Sequence, residues 1–197
     1  MKVWAGLAIG LLLVGCADDT PLPVAENAAP LDFAYLTKLR LNVATVTVDD
    51  SYVPSGPGEH VEALAPVPPA ELLRLMARER VLPGGAAGTA KVTIEDASIV
   101  RTDDQLEGSL AVRLDVANGD GTQTGFADAR IARSRTMAGE DSRVVAGKLE
   151  RQMMADMNVE FEYQVRKSLK DWLQVTAPEV PPAAAIQSQD LPPPPGS

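Results

Sequence analysis

Residues 89–135 constrain the fold most, because three successive segments there alternate apolar and polar side chains at a period no helix satisfies. In 89–101 (TAKVTIEDASIVR), Ala90, Val92 and Ile94 share one phase against Lys91, Thr93 and Glu95. In 109–116, Leu110, Val112, Leu114 and Val116 repeat it, and in 125–135, Ala127, Ala129 and Ile131 do so again. Successive strand side chains point to opposite faces, so each segment predicts a half-buried strand. Asn118-Gly119-Asp120-Gly121 supplies the hairpin turn between the last two. An antiparallel meander with one apolar face needs a second layer to cover that face.

Helical segments flank the meander. Residues 69–82 (PAELLRLMARERVL) open on Pro69, place Leu72, Leu73, Leu75 and Met76 at helical spacing, and stop at Pro83-Gly84-Gly85. Residues 142–173 contain no proline and predict a long helix. At about 100° per residue, Val145, Leu149, Met153 and Met157 cover one sector, and Phe161, Val165, Leu169, Trp172 and Leu173 cover the next. The stripe therefore rotates near Asn158. Either the helix wraps across a twisted sheet, or its C-terminal half, with Phe161 and Trp172, docks on a partner. Upstream, 39–48 (LRLNVATVTV) predicts a strand, with a phase slip near Ala44 that reads as a bulge. The order is β-α-β-β-β-α. It predicts an α+β, two-layer sandwich: a four-stranded mixed sheet, its first two strands parallel, with two helices on one face.

The ends read differently. Residues 17–30 are rich in Pro and Ala without apolar period and predict a flexible tether. Residues 176–197 hold seven prolines and predict a Pro-rich disordered tail. At the start, Lys2 precedes an apolar run over 3–14, shorter than the roughly 20 residues of a membrane-spanning helix. Leu13-Val14-Gly15-Cys16 follows. Here the sequence resembles a bacterial lipoprotein precursor, whose lipobox sets Leu, a small or branched residue, Gly and an obligatory Cys in this order.

The resemblance implies cleavage after Gly15, a diacylglycerol thioether on Cys16, and acylation of the new N-terminus by a palmitate-type chain. Several chains anchor firmly where one does not, at about 0.8 kcal/mol per buried CH₂. Ala17, rather than Asp, after the lipidated Cys implies sorting to the inner leaflet of the outer membrane, facing the periplasm. The expected organisation is a signal peptide over 1–15, a lipidated tether over 16–30, one domain over 31–175 and a tail over 176–197. The element order is also similar to that of ABC-transporter auxiliary and outer-membrane assembly lipoproteins. That likeness is one of architecture and transfers no site residues.

Composition narrows the function classes. A formal charge of -9 opposes nucleic-acid binding, which needs clustered cations. One His and one Cys leave no set for a protein-built zinc site, and no metal or cofactor is expected. Residues 83–91 (PGGAAGTAK) lack Gly-Lys-Ser/Thr and run from helix to strand, so they read as a helix stop. Residues 118–122 (NGDGT) lack the spaced ligands of a calcium loop. The doublets Asp49-Asp50, Glu95-Asp96, Asp103-Asp104 and Glu140-Asp141 border predicted elements and read as turn chemistry.

Residues 49–68 (DDSYVPSGPGEHVEALAPVP) form a connection long enough to suggest a role of its own, with a short element expected over 61–65. It carries Tyr52, Val53 and His60 as candidate partner contacts. The expectation is a lipid-anchored, non-enzymatic envelope adaptor or accessory in assembly or transport that binds a protein partner. The alternatives are an envelope hydrolase using loop His60 and carboxylates scattered along the chain, or a small-ligand or lipid carrier with a cavity between sheet and helices.

Overall fold

A computed structural model describes residues 31–49 and 51–174. The predicted leader, the whole expected tether with Cys16, and the Pro-rich tail lie outside the described residues. The strands are β1 (Leu39–Leu41), β2 (Thr45–Asp49), β3 (Glu59–His60), β4 (Val81–Pro83), β5 (Thr89–Thr102), β6 (Gln105–Ala117) and β7 (Thr124–Thr136). The helices are α1 (Pro69–Arg80), between β3 and β4, and α2 (Ser142–Ser168), after β7. The chain is an α+β sandwich with the helices on one side of a mixed sheet.

The meander is the frame of the domain. β5, β6 and β7 pair antiparallel over nearly their full lengths, so Ile94 faces Val112 and Leu114 faces Ala127. A register shift between Ile94 and Asp96 leaves Glu95 as an extra residue. That bulge explains why the buried phase of β5 moves from Ala90, Val92 and Ile94 to Ala97 and Ile99. β2 adds to the first half of β5 in parallel, and β3 adds antiparallel to its second half. The sheet order is β2-β5-β6-β7, with β3 beside β5.

The single strand expected over 39–48 is two strands in two sheets. β1 pairs parallel with β4, and after Asn42-Val43-Ala44 the chain crosses to pair as β2 with β5. The phase slip at Ala44 is this crossing rather than a bulge. Val43 O accepts from the amides of Gly84 and Gly85, and Ala44 N–H donates to Ala87 O and Gly88 O. A Cβ on Gly85 would lie 2.6 Å from the Asn42 carbonyl carbon, so the backbones meet this closely only because glycine stands there. The Gly-rich 83–88 segment thus ends α1 and also seats the crossing. The extra pair β1-β4 and the short β3 raise the strand number above the four expected.

α1 starts with Pro at its first position and ends where the chain extends into β4. α2 is capped by Asp141, whose carboxylate accepts from Arg143 N at 2.8 Å. It stops five residues before the expected end at Leu173, because Lys170–Trp172 tightens into a 3-10 turn. Leu173 then bridges Leu41, and Gln174 N–H donates to Arg40 O. Pairing with β1 thus draws the chain out of the helix.

Val145, Leu149, Met153, Met157, Phe161, Val165 and Leu169 are all wholly buried in one core with Leu110, Leu114 and Met76. The rotating stripe of α2 therefore follows a twisted sheet. At the point of rotation Asn158 is buried. Its Nδ2 donates to Met154 O, and its carbonyl and Oδ1 accept from the fully buried Arg80. Arg80 also donates to Thr37 O and Glu162, tying α1, α2 and the segment before β1 together.

Candidate functional site

Of the residues that sequence reasoning singled out, Tyr52, Val53 and His60 lie in the 51–64 connection beside β5, and Phe161 and Trp172 lie at the C-terminal part of the last helical segment. The connection is anchored by its second half. β3 pairs with β5, Val61 and Ala65 are buried, and a 3-10 turn at Glu62–Leu64 lies between them, where a short element was expected.

His60 and Glu62 form the polar heart of this segment. His60 Nδ1 lies 2.8 Å from Glu62 Oε1, with their side chains 23% and 12% exposed. The same Glu62 oxygen accepts from Ile99 N at 3.0 Å. Nε2 of His60 faces the Gly56 carbonyl at 3.4 Å. With an acceptor at each ring nitrogen, the doubly protonated imidazolium satisfies both contacts. The hydrogen bond to Glu62 accordingly raises the His60 pKa above its ordinary value. The nitrogen that a general base would turn to a nucleophile points instead at a backbone carbonyl. This arrangement makes His60 a strut that holds the 56–60 loop to the sheet.

Tyr52 packs on the margin of the core, and its hydroxyl donates to Asp96 Oδ1 at 3.3 Å. Burial, together with Asp96 and Glu62, raises the Tyr52 pKa and keeps the phenol neutral. Val53, the next residue, is 72% exposed. Tyr52 and His60 therefore fix the two ends of a strap whose free side is Val53 and its neighbours.

The remaining sequence candidates separate. Phe161 is wholly buried against the sheet, so it belongs to the core and presents no surface to a partner in this fold. Its helical phase places it over β6 and β7, which accounts for the rotated stripe without a second protein. Trp172 is half-buried and packs on the same core. The exposed apolar side chains of α2 are Val144, Val159 and Tyr163.

The acidic doublets hold structure together. Asp49 pairs with Lys91 at 2.7 Å, Glu95 pairs with Arg130, and Glu140 pairs with Lys148. Asp104 accepts from Ala138 N at 3.3 Å. The 118–123 loop is closed by its own side chains, with Asp120 accepting from Thr122 N at 3.0 Å and Asn118 from Gln123 N at 3.1 Å. Among the described residues no group of three or more His, Cys, Asp or Glu side chains could hold a metal ion.

The open face adds a residue that the sequence reading passed over. Phe126 is 53% exposed, with the Arg113 guanidinium 4.1 Å from its ring centroid. Arg113 in turn holds Asp115 and Asp128 at 3.0 and 3.2 Å. Phe126, Arg113 and Asp115, with Lys91 and Thr89, line a shallow cavity of about 590 Å³. The signal was present, since Phe126 falls in the outward phase of β7, opposite Ala127 and Ala129. In a chain with only 4% aromatics, an outward aromatic on a strand is informative. A second recess of about 730 Å³ on the open face is lined by Ser98, Val100, Ser109 and Ser134.

These features define the class: an α+β sandwich with one helix-covered sheet face, one open face and a strapped edge. No known family model matches the chain, and no curated protein matches it either. Among the described residues no helix is long and apolar enough to cross a membrane.

Proposed function

We propose that this protein is a lipid-anchored lipoprotein of the bacterial cell envelope, held at the inner leaflet of the outer membrane through Cys16. Its domain serves as a non-enzymatic adaptor or accessory in envelope assembly or transport. The observation that carries the anchor is Leu13-Val14-Gly15-Cys16 at the end of a charged-then-apolar leader. Ala17 supports the outer-membrane address. The strap and the open face support the adaptor role, since Val53 and Phe126 each present an exposed apolar side chain there.

Two experiments test the two parts. Cys16→Ser should abolish palmitate labelling and release or mislocalise the protein on membrane fractionation. A variant still labelled and membrane-bound would remove the basis of the anchor. A photo-crosslinking residue placed in cells at Val53 or Phe126 should give one adduct of defined mass that the same group at Arg143 does not. Equal adducts from all three positions, or none from any, would overturn the adaptor reading.

A further inference from the structure

A third cavity, of about 400 Å³, lies where β1, the end of α2 and the 3-10 turn meet. It is lined by Thr37, Lys38, Leu39, Arg40, Arg166, Lys170, Leu173 and Gln174. Each ionisable side chain among these is a cation, in a chain whose formal charge is -9.

The C-terminal end of a helix attracts cations, which accounts for Arg166 and Lys170. It does not account for Lys38 and Arg40, which arrive from a strand and its approach more than a hundred residues earlier. The Leu41–Leu173 bridge and the Gln174–Arg40 backbone hydrogen bond bring the two pairs to one cavity. Arg166 is held in place by Glu162 at 2.8 Å, and Glu162 also binds buried Arg80. Among the described residues, Lys38, Arg40 and Lys170 have no carboxylate partner. Glu162, the carboxylate paired with Arg166, is already shared between two guanidiniums. The cavity therefore gathers three cations without a carboxylate partner beside Arg166, a cost that a bound anion would offset.

We propose that this cavity binds a phosphate-bearing anion. Two guanidiniums offer planar forks to phosphate oxygens, two ammonium groups supply further charge, and Thr37 adds a hydroxyl to the lining. The volume is within the range of small-ligand sites and admits a phosphate with a substituent. The phosphate could belong to a soluble monoester or to an anionic lipid headgroup. Lys38 lies soon after the expected tether, so the headgroup source rests on the proposed anchoring, whereas the soluble source does not.

The test uses the full-length chain purified in a neutral detergent at about 150 mM salt, where unspecific surface attraction is screened. Calorimetric titration with inorganic phosphate and with pyrophosphate measures the soluble arm. Titration with micelles doped with phosphatidylglycerol, against phosphatidylcholine, measures the headgroup arm. Saturable binding by the parent should weaken about tenfold or more in Lys38→Gln/Lys170→Gln, as expected when two charge contacts are lost. Arg130→Gln/Arg143→Gln removes the same charge elsewhere and should change affinity less than about twofold. Thermal unfolding checks that each variant folds.

Binding of phosphate or pyrophosphate without preference for phosphatidylglycerol assigns a soluble ligand, and the converse assigns a headgroup. Either result supports the site. No saturable binding of any probe by the parent, or equal weakening in both double variants, overturns it. A failure of Cys16 lipidation would leave the soluble arm intact, so the two readings fail separately.

Discussion

Glu150 offers the sharpest test of how this fold is held, because α2 buries its carboxyl without an ion pair. Its side chain is 2% exposed, and Oε1 has no hydrogen-bond partner among the described residues. Burial drives its pKa from the ordinary 4.5 up to about 7, only partly offset by the Val67 amide and by Arg151. The native state thus holds a proton more tightly than the unfolded chain does. Stability linked to this group is undiminished below the ordinary value, falls as pH rises from about 4.5 to about 7, and stays lowered above that. At about 1.4 kcal/mol per tenfold difference in proton affinity, the full cost is about 3 kcal/mol. Glu150→Gln keeps an acceptor for Val67 and carries no charge, but buries an amide N–H₂ that costs about 1 kcal/mol if unpaired. The variant should therefore be more stable than the parent by about 2 kcal/mol near pH 8.5, and no more stable near pH 5. In thermal unfolding followed by circular dichroism, that gain corresponds to roughly 4–8 °C. Parallel stability profiles for the two proteins across this pH range would refute the buried-carboxyl argument.

Three further perturbations address other joints of the fold. Arg80→Ala removes the donor shared by Thr37, Asn158 and Glu162. It should cost about 3 kcal/mol in urea denaturation; a loss below about 1 kcal/mol would mean the clamp is not structural. Gly108→Val places a branched side chain on Met153 and Leu149 of α2. It should destabilise by about 2 kcal/mol, whereas Ser109→Val on the open phase of the same strand should not. Because the hydrogen bond to Glu62 raises the His60 pKa, the stability it lends is present below the ordinary value and lost as pH rises through the raised one. Glu62→Gln should bring the His60 proton titration, followed by NMR, down towards the ordinary value. An unmoved midpoint would show that another group sets it.

The strands of the meander were legible because each buries one face, and a period of two cannot be mistaken for a helix. The break at Asn42-Val43-Ala44 was not, because it depends on contacts outside the segment. Gly84 and Gly85 supply the amides for Val43 O, and Trp172 O accepts from Asn42 N at 2.7 Å from the far end of the chain. A strand that changes partners looks, in one dimension, like a strand with a bulge. The turn of the apolar stripe at Asn158 was equally visible, but the partner that lets Asn158 be buried there is Arg80, contributed by a different helix.

The same distance effect governs the candidate sites. Tyr52 and His60 were found by their place in a long connection, yet their chemistry was set by Asp96 and Glu62, and only the fold shows His60 held between two acceptors. Phe126 could have been found from strand phase alone. The basic cavity could not. Taken singly, Lys38 and Arg40 flank a strand, and Arg166 and Lys170 sit at a helix end where cations are ordinary. They become one site through the short pairing of Leu41 with Leu173. The residues that line this cavity are thus joined by contacts between the first and last elements of the domain, and local sequence patterns carry no trace of such contacts.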